Sequence, residues 1–248
     1  MTTARGPQRA DGWTAAVRQR LGLGRLLPLG EAADGAWIAE TAAASVLRGA
    51  VTGPGTVLGR LRIGPVEAAA PGFPVVAPGT AAPPAPPSAL PRGPLRIEAE
   101  FAAAPDRPLP AAAAALRTAL VTAASARLGM EVAEVDLRVT ALLDGGAPDQ
   151  VREAVARFPA APPEGPEEAA AAGVPGVVSL TEVLGGAVLT AEDHVRVEVA
   201  TAGDHRALDV ARSVRTAVSA AVAGRLPVSV LVTEVVERDS GGGAGLSR

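Results

Sequence analysis

The chain has 248 residues, of which 26 are acidic and 23 basic, giving a net charge of −3; 48% are hydrophobic and only 2% aromatic. Cys, Lys, Tyr and Asn are absent, so every basic residue is Arg. This excludes a disulfide framework, a thiolate nucleophile, an iron–sulfur or Cys-ligated zinc site, a Schiff-base lysine and a P-loop lysine.

Only His194 and His205 are present, too few for a three-His zinc site in one chain. The slightly acidic balance gives no footing for nucleic acid as the main partner. The core must be assembled from Ala, Val and Leu, which bury less area each than aromatics.

Residues 1–30 form a basic, Trp-containing segment. Five Arg (5, 9, 18, 20 and 25) face one acid, Asp11, giving a local charge of +4. Asp11 is placed to cap a short helix with Trp13, Val17 and Leu21 on one face, Arg18 and Arg20 off it, and Gly22 and Gly24 ending it. Trp13, Val17, Arg18, Arg20, Leu21 and Arg25 are therefore the candidate contact for a partner or for an anionic membrane surface.

Ile38, Ala42, Ser45 and Val46 predict a helix over 38–47, and Val57 to Ile63 a strand. Residues 71–94 hold nine Pro and read as extended, polyproline-type chain. Residues 144–166 form a second break, and the tail 238–248 contains Gly241-Gly242-Gly243. No run of 18 or more apolar residues is read as a bilayer span, and no secretory signal is visible. The expected location is the cytoplasm, with peripheral membrane contact through the N-terminus as the variant.

The chain repeats itself. Leu95-Arg96-Ile97-Glu98-Ala99 matches Val195-Arg196-Val197-Glu198-Val199 at an offset of 100, both alternating apolar and charged as half-buried strands do. Residues 116–128 match 214–226 at an offset of 98, with six identities in 13 that include Arg117-Thr118-Ala119 and Arg127-Leu128. The stripes Leu116, Leu120, Ala124 and Val210, Val214, Val218, Val222 mark both as amphipathic helices. A strand follows each: Val135, Leu137, Val139 and Val228, Val230, Val232, with Thr140 matching Thr233 at an offset of 93.

Ahead of these lie a fainter helix, a Gly-rich turn and a first strand, read in the second copy as Val178 to Leu189. The expectation is an α+β fold of two tandem helix–strand–strand–helix–strand modules, at 36–143 and 167–237. The Pro-rich stretch would be inserted between the first two strands of the first module.

The second module has a short helix, Val174-Pro175-Gly176-Val177, an alternating strand, the helix around Val210-Ala211-Arg212-Ser213-Val214 and a Val-rich closing strand. It resembles the alkaline shock (cell-envelope stress response) family. The first module is similar to a diverged copy, with Gly53-Pro54-Gly55 at the turn and Ile38-Ala39-Glu40 opening its helix. The N-terminal stretch from Asp11 to Gly30 resembles an actinomycete protein group that carries a nucleopolyhedrovirus-derived name. The resemblance implies a stress-associated protein without catalytic residues or cofactor, which self-associates or docks on protein partners.

The residues with chemical potential have plainer readings. His194 and His205, beside Asp193 and Asp204, are read as solvated loop residues rather than a metal site. Glu98, Glu100 and Glu198 fall on the polar phase of strands, where ion pairing suits them better than acid–base work. No G-x-S-x-G, G-x-G-x-x-G or H-E-x-x-H occurs.

The function expected is that of a non-enzymatic cytoplasmic interaction or scaffold protein, acting through strand edges or helix faces. The alternative is a KH-like nucleic-acid-binding module, against which the charge and the lack of stacking aromatics stand.

Overall fold

In a computed structural model the described residues are 21–51, 55–66, 83–143, 157–224 and 226–237. They form a mixed α+β fold with two sheets.

The first sheet has three strands in the order β3-β4-β5: β3 (Thr56–Pro65), β4 (Leu95–Ala103) and β5 (Val132–Leu142). β3 runs antiparallel to β4, and β4 parallel to β5. The parallel pair is joined by α2 (Leu109–Ala123), continued by a π turn over Ala124–Leu128. Alternation puts Leu95, Ile97, Ala99 and Phe101 on the buried face and Arg96, Glu98 and Glu100 on the other. Arg96 pairs across the strands with Glu134 at 2.7 Å and Asp136 at 3.2 Å, the cross-strand pairing that alternation predicts.

The second sheet runs β1-β2-β10-β9-β7-β6, with β8 also on β9. Its members are β1 (Leu26–Leu29), β2 (Ala36–Ala39), β6 (Ala160–Ala161), β7 (Val177–Thr181), β8 (Val188–Thr190), β9 (Val195–Ala202) and β10 (Val228–Val236). β9 and β10 are parallel and are joined by α4 (Ala207–Ala221), whose Val214 and Val218 are fully buried. Each of those side chains contributes about 1.5–3 kcal/mol by leaving water. α1 (Glu40–Ala50) follows β2, and α3 (Pro166–Ala172) precedes β7. In α3, Pro166 sits at the first helical position and Glu167 and Glu168 face the positive helix end.

The two sheets share one continuous apolar core. The end of α2 meets the start of α4 closely: a Cβ on Gly129, whose φ is +84°, would sit 2.5 Å from Leu208 Cβ. Arg206 Nε donates to the Ser125 carbonyl at 3.1 Å in the same contact.

Three local expectations are corrected. Ile38 lies in a strand, and the helix starts at Glu40. Ala36 to Ala39 are all buried because β2 is wedged between β1 and β10, and its Ile38-to-Ala42 spacing only imitates a helical stripe. β2, expected within the module at 36–143, pairs with β1 and β10 in the second sheet. The strand expected over Val178–Leu189 is split into β7 and β8 by a loop at 182–187. Residues 1–20, the first half of the Pro-rich stretch 71–94, most of the break 144–166 and the Gly-rich tail lie outside the described residues.

Candidate interaction surfaces

Of the six N-terminal candidates, Trp13, Val17, Arg18 and Arg20 lie outside the described residues. Leu21 is 76% exposed. Arg25 is committed within the chain. Its Nε and NH2 groups donate to Glu40 at 3.0 and 2.9 Å, and NH2 also reaches the Ile63 carbonyl at 2.7 Å. Glu40 in turn accepts the Ile63 amide at 3.1 Å. The cluster ties the entry to β1, the start of α1 and the first sheet together. Burial opposes ionisation of Glu40, but Arg25 and the Ile63 amide outweigh it and hold its pKa below the ordinary value.

The β1–β2 hairpin is clamped onto the second sheet. Asp34 forms a two-pronged pair with Arg212 of α4, at 2.8 and 2.9 Å. That hydrogen-bonded guanidinium keeps the Asp34 pKa low against a smaller opposing effect of burial, helped by the Glu31 amide. Arg215 of α4 donates to the Ala33 carbonyl. Trp37 is buried beneath the Arg92 guanidinium, 4.3 Å from the ring centroid. None of these contacts was read from the sequence. Asp34-Gly35 was the available turn signal, but its partner lies far along the chain.

Glu198 is the largest departure. Expected on a solvated or ion-paired face, it is fully buried. Its carboxylate accepts the Val183 amide at 2.7 Å and the Leu184 amide at 3.1 Å, with Arg196 NH2 at 3.6 Å. Arg196 donates to the Leu184 carbonyl. The pair grips the 182–187 loop that interrupts β7 and β8, covering this face of β9. Glu98, by contrast, is exposed beside Arg96.

His194 precedes β9 and His205 follows it, so the strand separates them by roughly 25 Å. Each bonds the Asp before it, at 2.7 and 2.9 Å. Among the described residues no group of three or more His, Asp or Glu converges. A shallow cleft of about 370 Å³ lies beside the end of α4, lined by Pro83, Arg215, Thr216, Ser219, Leu226 and Pro227. Arg215 is its one ionisable described residue, and it is held by Ala33.

Two features at the β5 side of the first sheet stand out among the described residues. β5 is a terminal strand, and Val139 and Leu142 on it are exposed. Above it, the helical run Leu109–Leu128 is long and apolar enough to cross a membrane by length and composition, contrary to expectation. It nevertheless packs Leu116, Leu120 and Leu128 into the core.

No known family model matches this chain, and neither a curated protein nor a solved structure is significantly similar to it.

Proposed function

We propose that the protein is a non-catalytic interaction protein made of two copies of one unit similar to the alkaline shock module, associating through the outer edge of β5 in its first copy. Hydrogen bonding and register support the duplication.

The glycine opening each unit has φ +87° at Gly55 and +90° at Gly176. The carbonyl of each accepts an amide at 2.8 Å, from Ala104 and Ala202. In the second unit Val177 N donates to Val174 O, so Val-Pro-Gly-Val is a type II turn with Pro and Gly at its two central positions. α2 and α4 are both 15 residues long and start 98 apart, with Ala112, Leu116, Leu120 and Val210, Val214, Val218 buried in step. Ile97, Ala99 and Phe101 face Val135, Leu137 and Val139; Val195, Val197 and Val199 face Val228, Val230 and Val232. Thr140 and Thr233 bond the matching carbonyls of Phe101 and Val199.

On this pairing the strands β4 and β9 correspond at an offset of 98, not 100. The Arg-x-Glu match is slipped by two residues, which preserves the face, and Glu100 becomes the counterpart of Glu198. The Pro-rich stretch then falls between β3 and β4, where β8 and β9 are joined by residues 191–194 alone.

The observation that carries the function is the difference between copies. The outer edge of β10 is covered by β2, whereas no strand among the described residues pairs with the outer edge of β5. An unpaired edge is a template for strand addition. The Val135 carbonyl points away from β4, since Arg117 Nε reaches it at 3.3 Å. The backbone groups of Leu137 and Val139 therefore share that outward phase, and proline at 139 removes only an outward N–H.

The test is retention of bound protein by tagged full-length chain in native lysate. Stoichiometric protein held by the wild type and lost from a folded Val139→Pro variant supports the reading. No retained protein, or retention unaffected by the variant, overturns it.

A further inference from the structure

The geometry points to a second copy of this chain as the occupant of the β5 edge, paired antiparallel about a two-fold axis through Leu137. This deepens the interaction reading above and rests on it.

The strand reads Val132-Ala133-Glu134-Val135-Asp136-Leu137-Arg138-Val139-Thr140-Ala141-Leu142. Reversed about Leu137 it is complementary to itself. Val132 faces Leu142, Ala133 faces Ala141, Glu134 faces Thr140, Val135 faces Val139, and Asp136 faces Arg138. The two neighbouring face-preserving registers fail. An axis at Asp136 sets two aspartates opposite one another, and an axis at Arg138 sets two arginines there. Like charges directly opposite are destabilising; the Asp136 axis sets two Glu134–Arg138 pairs against its aspartate pair, and of the three only the Leu137 axis pairs opposite charges with no like charges opposed.

The structure leaves the components ready. Asp136 and Arg138 lie on the polar face, and Arg138 makes no ion pair among the described residues. Val135, Leu137 and Val139 present outward backbone groups, so the pairs they form would exchange both hydrogen bonds. The register of β4 on β5 is irregular at Ala133 and Thr140, which confines regular pairing to the stretch between them. α2 packs on β5 rather than centrally on the sheet. A two-fold through β5 therefore sets two α2 helices side by side, with exposed Ala114, Thr118 and Val121 between them. Ala114 and Thr118 leave room for that approach, while Arg117 on the same face must release the Val135 carbonyl as the strands pair.

The chain lacks Cys, so single-cysteine variants report the register directly. Hydrogen-bonded antiparallel partners stand about 5.5 Å apart at Cα, within the range of a disulfide. Leu137→Cys on the axis is expected to give a reducible dimer under mild oxidation. Val139→Cys is expected to give none, because the two copies of that residue lie about 13 Å apart along the strands.

Charge reversal tests the same contact without depending on the survival of either variant alone. Arg138→Glu and Asp136→Arg each place like charges opposite and are expected to weaken self-association at least tenfold in sedimentation. Mixing the two variants pairs every acid with an arginine and is expected to restore dimers. Dimers that resist both reversals, or cross-link equally well through position 139, overturn the assignment. A full-length chain that stays monomeric while retaining a different protein through β5 also overturns it and leaves the interaction reading standing. A chain that neither dimerises nor retains any protein ends both.

Discussion

Replacing Glu198 with Gln tests whether the buried carboxylate is a structural clamp. The side chain is fully buried, and Arg196 beside it is nearly so. Gln preserves the volume but keeps one acceptor oxygen where Oε2 now meets the Val183 amide and both oxygens share the Leu184 amide. Those bonds lose their charge assistance, and Arg196 is left buried without its counter-charge. Removing one partner of a buried ion pair costs about 3–5 kcal/mol. For a chain of this size each kcal/mol lowers Tm by about 2–4 °C, so the drop should be roughly 6–20 °C.

Urea unfolding followed by circular dichroism reads the free energy. Hydrogen exchange at the Val183 and Leu184 amides reads the clamp itself, and should rise well before β9 opens. Arg196→Met should cost less, because Glu198 keeps its two backbone donors. A Glu198→Gln cost below about 1 kcal/mol refutes the reasoning. So does an increase in stability, the behaviour of a carboxylate held under strain for function.

Gly176→Ala should destabilise more than Gly55→Ala. Both incur about 1–2 kcal/mol for positive φ, but a Cβ at 176 would lie 2.7 Å from Val210 Cγ2 and 2.9 Å from His205 Cγ, against 3.2 Å from Ala104 Cβ at 55. Overpacking adds about 1–3 kcal/mol at 176, and equal losses in thermal melts would contradict it. Acid should weaken the fold through Glu40 and Asp34. Both have folded pKa values below the ordinary 4.5 and 3.8. Their stabilisation is complete above those values and drains away as pH falls through the folded ones. Glu40→Gln should flatten the dependence of stability on pH below about 5, and an unchanged slope would refute the ion pair's role.

Elements whose identity depends on local periodicity were legible in the sequence. Leu116 to Leu120 and Val210 to Val218 mark buried helix faces, and the alternation in Val135 to Val139 marks β5. What escaped depends on distant partners. Glu198 alternates with valines as an exposed strand residue would, and its burial comes from a loop inserted between β7 and β8. Ile38 matches a helical stripe as well as a strand, and its state is decided by β10, almost two hundred residues on. The Arg96-x-Glu98 match to Arg196-x-Glu198 keeps its face under a two-residue slip, so strand phase alone does not fix the register of that match.

The duplicated reading also accounts for why one edge is closed and the other open. At the offset of 98, Arg215 corresponds to Arg117 and Arg212 to Ala114. In the second copy Arg212 holds Asp34 and Arg215 holds the Ala33 carbonyl, so both arginines seize the turn of the hairpin that covers β10. In the first copy the clamp at 114 is a methyl group and cannot recruit an Asp-bearing turn. Arg117 remains, but it reaches back to the Val135 carbonyl of its own edge strand. An arginine that fastens a cap in one copy thus occupies an uncapped backbone group in the other. That contact is partly exposed and spans 3.3 Å, so a strand arriving at β5 displaces one weak hydrogen bond and replaces it with a ladder.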